Sequence, residues 1–138
     1  MKTPHKTIIM TIAAILIGGA SPGIAVANSA RDGIIKGFAT EAQAAFSAER
    51  GKILFKANAG GGKPDTPSCT TCHSASPLNT GKTRAGKPIE PLAVSKNPER
   101  FTDLKKVSKW FRRNCKSVLG RECTPQEKGD FLTYMSSK

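Results

Sequence analysis

The stretch Cys69-Thr70-Thr71-Cys72-His73 carries the clearest chemistry in this chain. Two thiols three positions apart fit one turn of helix and can add to the two vinyl groups on one edge of a porphyrin. The adjacent imidazole then turns under the ring to reach the iron. The spacing predicts one covalently attached haem c on Cys69 and Cys72, with His73 as an iron ligand. A bare Cys-x-x-Cys also suits half of a zinc site or a redox dithiol. The immediate histidine and the export signal described next argue against both.

At 138 residues the chain has room for one compact domain. Residues 1–27 read as a signal peptide: Lys2 and Lys6 form a basic start, Ile8 to Ile17 an apolar run, and Ala25-Val26-Ala27 a small-x-small cleavage site. The run falls short of the roughly 20 residues a spanning helix needs, and Gly18-Gly19 and Pro22 interrupt it. The expected mature chain begins at Asn28 and resides in the periplasm. The formal net charge of +12 fits an acidic redox partner or an anionic membrane surface. No helix-turn-helix pattern or aromatic-rich basic face accompanies it, so no nucleic acid partner is expected, and the chain is read as a monomer.

Cleavage removes His5, Met1 and Met10, which leaves His73 as the one histidine and Met135 as the one methionine. Small c-type haem proteins ordinarily place a Met or a second His on the far side of the iron. Met135 stands three residues from the C-terminus, so the sixth ligand is either unusual or absent.

The elements that must position these groups read as helices. Residues 28–46 form a helical extension, with Ile34, Ile35, Phe38 and Ala42 at helical spacing, and residues 47–138 form the main domain. Ser47 caps a helix from Ala48 to Ala57 whose apolar face takes in Phe46, Gly51, Ile53, Leu54 and Phe55. Residues 74–98 hold repeated prolines and no helix or strand period, and read as an irregular wrap. There Ile89, Pro91, Leu92 and Val94 are available to touch a porphyrin, and Lys82, Arg84 and Lys87 to meet its propionates.

Thr102 caps a helix from Asp103 to Leu119, stopped by Gly120, with Leu104, Val107, Phe111, Asn114 and Val118 on an inward stripe. Asn114 is the anomaly, since a carboxamide on an apolar stripe costs about 1 to 3 kcal/mol without a partner. It either bonds a water or backbone carbonyl, or faces the iron. Cys115 and Cys123 are the thiols left after haem attachment, and in an oxidising compartment they are expected to form a disulfide. Thr124-Pro125-Gln126-Glu127 opens a last helix on which Phe131, Leu132 and Tyr134 pack on Phe55 and Leu54.

Several of these stretches together resemble one group of proteins. They are Phe46 to Gly51, Ser68 to His73, Gly86 to Ala93, Asn97 to Asp103, and Cys115 through Cys123. The group comprises the oxygen-binding, asparagine-ligated monohaem cytochromes called SHP and their bis-histidine relatives, cytochrome c″. In both, the residue immediately before the first disulfide cysteine binds the iron and leaves on reduction. That position is Asn114 here, so the resemblance is to the SHP branch. It implies a mainly α, class I cytochrome c fold with an extra N-terminal helical segment and a disulfide on the distal haem side. It also implies a six-coordinate ferric and five-coordinate ferrous haem that takes O2 or NO, with electrons from a dihaem cytochrome c or a membrane cytochrome b. The alternatives are a plain carrier whose haem stays six-coordinate, and a small haem reductase. For the last, the mature chain offers no second histidine as acid or base, so enzyme activity is not the expected role.

Overall fold

The computed structural model describes residues 22–138, with side chains from Ala27 onward. The expected signal peptide therefore lies mostly outside the described residues. Five helices and one small hairpin make up the rest. Helix α1 spans Pro22–Ala42, α2 Ala48–Lys56, α3 Thr70–His73, α4 Leu104–Leu119 and α5 Pro125–Ser136. Among the described residues no helix is long and apolar enough to cross a membrane.

The helix expected over residues 28–46 begins earlier and stops sooner, at Ala42, because the chain turns through a left-handed Gln43. α1 lays Ile34 and Phe38 into a cluster with Val107 and Leu132, and Phe38 meets Phe111 edge to face at 6.1 Å. One polar group on α1 is equally placed. Arg31, 3% exposed, donates to the Arg100 carbonyl at 3.0 Å and to the Pro98 carbonyl.

α2 crosses α5 at closest approach. Gly51 and Phe55, one turn apart, form the buried face, whereas Ile53, two residues from Gly51, is turned about 200° away and is 61% exposed. Phe55 is fully buried with Leu92, Tyr134 and Met135, and its ring lies 6.3 Å from Phe131 and 6.0 Å from Tyr134. Leu132 faces the other cluster, against α1 and α4. Ser47 accepts from the Arg50 amide to cap α2. Thr124 and Glu127 exchange side chain-to-backbone bonds of 3.2 and 2.8 Å to cap α5.

The crossing is locked by Asp130, which is 4% exposed. Its carboxylate accepts from Arg50 Nε at 2.7 Å, Arg50 Nη2 at 2.8 Å, the Ser47 amide at 2.6 Å and Gln126 Nε2 at 3.1 Å. Burial alone would raise its pKa, but the bonds from Arg50, Ser47 and Gln126 outweigh it and hold the carboxyl below its ordinary value. A depressed carboxylate stabilises the fold above its unfolded pKa and loses that contribution as pH falls through the folded one. Asp130→Asn is therefore expected to cost about 2 kcal/mol at pH 7 and to flatten the decline in stability below about pH 4. Urea unfolding at a series of pH values checks both.

In the wrap over residues 74–98 the structure adds one feature that the residue pattern missed. Strands β1, Gly81–Lys82, and β2, Pro88–Ile89, pair antiparallel. A turn with Gly86 N bonded to Thr83 O at 2.9 Å joins them, a pairing too short to show a period. Leu92 goes into the core rather than an open cleft. The α4 cap is Asp103, accepting from the Lys106 amide at 3.0 Å, because Thr102 donates backward to the Glu99 carbonyl. Gly120 ends α4 in the left-handed conformation, φ 72°.

Candidate functional site

Cys69, Cys72 and His73 lie on and just before the single turn of α3. The His73 amide bonds to the Cys69 carbonyl at 3.1 Å. Ser68 fixes the entry by bonding Thr70 Oγ1 at 2.9 Å, and Ser74 leaves the turn with φ 62°. β1 backs this turn: a Cβ on Gly81 would fall on the Cys72 carbonyl and 2.9 Å from His73 Cα, so only glycine allows the approach. Cys69 packs against the Phe55, Leu92, Tyr134 and Met135 cluster. Met135 is thus taken up by the core.

Both thiols are free and half-buried, while Cys115 and Cys123 form the expected disulfide. Burial pushes the Cys69 thiol up to about 11, with Cys72 adding to it. Burial, and then the nearby positive charge of Arg100, pushes His73 down to about 4. The imidazole is therefore neutral at neutral pH, the form that ligates a metal. Arg100 went unrecognised in the sequence. Its guanidinium donates to the Pro91 carbonyl at 3.0 Å and the Glu90 carbonyl at 2.7 Å, while its own carbonyl accepts from Arg31. It ties the wrap to α1, and only its place between that wrap and the α4 cap could have marked it. Of the suggested propionate partners, Arg84 is paired with Asp65, and Lys82 and Lys87 are exposed.

Asn114 is not on the buried stripe of α4. Val107, Cys115 and Val118 are buried and Phe111 half-buried, but Leu104 and Asn114 are exposed in the protein alone. At about 100° per residue Asn114 sits on a flank it shares with Trp110 and Ser117. That flank meets the segment leading into the haem motif: Thr66 Oγ1 bonds Ser117 Oγ at 2.8 Å and the Ser117 carbonyl at 3.0 Å. Thr66 stands three residues before Cys69. Trp110, 50% exposed, is a large apolar group left without protein over it on the same flank.

The family described as a domain of unknown function, DUF1924, matches residues 41–135. A cytochrome c-type protein SHP from Cereibacter sphaeroides is 47% identical over 132 residues, covering 96% of this chain and 99% of the relative. The chain belongs to the SHP family of c-type cytochromes. Cytochrome c″ of Methylophilus methylotrophus is 42% identical over 91 residues, 62% of this chain and 60% of that one. The solved structure of oxidized SHP, described as an oxygen binding cytochrome c, superposes with a TM-score of 0.77 at 52% identity over 78% of this chain and 96% of that one. Oxidized cytochrome c″ superposes at 0.61, with 33% identity over 81% and 94%. The mainly α cytochrome c fold expected from the SHP resemblance is thus the fold observed, with its disulfide.

One covalently attached haem c is the cofactor of this chain, as for its cytochrome c relatives. The residues present fit it. Cys69, Cys72 and His73 do not converge as a metal-holding group, and among the described residues no other cluster of three such side chains does. Two unpaired thiols on one turn, with no group of three ligands around them, suit attachment along a ring edge better than a zinc ion, whose four ligands meet at one point.

The disulfide joins the last turn of α4 to the α5 cap across a sequence separation of 8. Cys115→Ser with Cys123→Ser is expected to lower stability by roughly 2 to 3 kcal/mol, read from the urea midpoint of the holoprotein.

Proposed function

We propose that this chain is an exported, periplasmic monohaem cytochrome that transfers electrons and takes O2 or NO at ferrous haem. Cys69 and Cys72 supply the thioether sulfurs, His73 the proximal ligand and Asn114 a labile distal one. A bound haem would supply an iron able to cycle between two oxidation states and to take a gas. The Asn114 carboxamide oxygen, a neutral and hard donor, would suit Fe(III) better than the softer Fe(II), so it would hold the oxidised form more firmly than the reduced one. Its amide N–H could serve as a donor to a diatomic ligand. The Cys115 bridge keeps the end of α4 from drifting away.

The observation that carries this reading is the flank Asn114 shares with Ser117, against which the segment entering Cys69 is bonded. The relative described as an oxygen binding cytochrome c supports it. Electrons would arrive from a dihaem cytochrome c or a membrane cytochrome b. Absorption spectra of the holoprotein, oxidised and reduced, with and without CO, test the proposal. The expected result is a six-coordinate ferric form and a five-coordinate ferrous form that takes CO. A ferrous form that stays six-coordinate and refuses CO would leave a plain electron carrier.

A further inference from the structure

Helix α4 contains six cationic side chains and no acidic one: Lys105, Lys106, Lys109, Arg112, Arg113 and Lys116. Its 16 residues thus carry half of the formal net charge of +12. The distribution around the helix is not even. Val107, Phe111, Cys115 and Val118 occupy the inner side, and the cations cover the outer side from Arg112 round to Lys106. On one border of this strip lies a groove of about 450 Å3 between α4, the α5 start and the disulfide, lined by Lys105, Ser108, Lys109, Arg112, Glu122 and Lys128. Among the described residues Lys105, Lys109, Arg112 and Lys128 pair with no carboxylate. On the other border stands Trp110, with Arg113 5.2 Å and Lys109 5.9 Å from its ring centre.

Such a surface is costly to leave without a partner. Like charges one turn apart on a helix repel, and of the six only Lys106 has a carboxylate partner among the described residues, Asp103 at 3.6 Å. We propose that the outer face of α4 docks an acidic protein surface, whose carboxylates the groove receives. The same helix carries Asn114 beyond the Trp110 border of the strip, so a partner seated on the cations meets the helix that bears the proposed distal residue. The choice of a protein over a lipid surface rests on shape. A groove with Glu122 on one wall discriminates among anionic side chains by position, whereas a flat lipid surface would meet Glu122 with repulsion. The purpose of docking rests on the electron-transfer reading; its test does not.

The probe is a short polyglutamate peptide, titrated into the oxidised holoprotein by calorimetry. Binding is expected to weaken as salt rises. The variant K105Q/K109Q/R112Q/K128Q is expected to weaken it roughly tenfold. A control, K36Q/K56Q/K63Q/K96Q, removes four exposed charges elsewhere and should stay within about twofold. Equal loss in both variants would reduce the effect to net charge and overturn the proposal, as would no loss in either. Groove-dependent binding to phosphatidylglycerol vesicles without binding to polyglutamate would replace the protein partner by an anionic membrane. Gas binding, read from spectra, is untouched by any of these results.

Discussion

Gly51→Val is expected to destabilise the protein by about 3 kcal/mol or more, enough to remove much of the 5 to 15 kcal/mol that holds an ordinary domain together. A Cβ at Gly51 would overlap the Asp130 carbonyl oxygen and stand 2.6 Å from its carbon and 2.8 Å from Tyr134 Cβ. Two of those three atoms are backbone of α5, so no rotamer change makes room. The helices must separate, and Asp130 would then lose its bonds to Arg50 and the Ser47 amide. Phe55, one turn along α2, would be drawn out of the cluster on which Cys69 packs. Damage at the crossing therefore reaches the haem attachment site. Gly37→Ala is the matched comparison: an added Cβ meets nothing within 4 Å on α1, so the helix should gain up to about 1 kcal/mol. Thermal and urea unfolding of the two variants should shift in opposite directions. A Gly51→Val protein with the wild-type midpoint would show that the crossing yields.

What the residues disclosed in advance was whatever is written locally. The attachment pentapeptide, the Thr124–Glu127 capping box and the Gly120 stop each depend on a few adjacent side chains. The structure agrees with the sequence on the cap and the stop and puts the pentapeptide on one turn. The two spare cysteines were legible by counting. What stayed hidden depends on partners distant in sequence. Arg31 carries no signal in the sequence because its acceptors are backbone carbonyls at Pro98 and Arg100, which leave no pattern around residue 31. The two-residue strands are held by a turn and by packing under α3, too short for alternation to register. Spacing places Asn114 on the inward stripe, but at about 100° per residue it stands at the edge of that stripe beside Trp110, and both are exposed in the protein alone. The proposed haem on that flank would account for this, since a helix beside a prosthetic group has one flank that packs on no amino acid.

Replacing that carboxamide is the sharpest test of what the flank does. Asn114→Val keeps the side chain small, moves the branch from Cγ to Cβ, and removes both the oxygen donor and the amide N–H. If the oxygen ligates ferric haem, the ferric spectrum should change to that of a five-coordinate or water-ligated form. The unliganded ferrous spectrum should stay nearly the same, because the residue has already left. If the freed amide also donates to bound O2, its loss removes one hydrogen bond worth about 1 to 1.5 kcal/mol, so O2 affinity should fall roughly tenfold. CO accepts hydrogen bonds weakly and should bind almost as before. The two halves separate cleanly, since an Asn114→Gln variant restores both functional groups on a longer arm and can recover the bond to the gas without recovering ferric ligation. Because Asn114 is exposed in the protein alone, the valine should cost little in folding, and a spectral change cannot be ascribed to a collapsed core. A variant with the wild-type ferric spectrum would take Asn114 off the iron and return the distal position to water or to another group on the Trp110 flank.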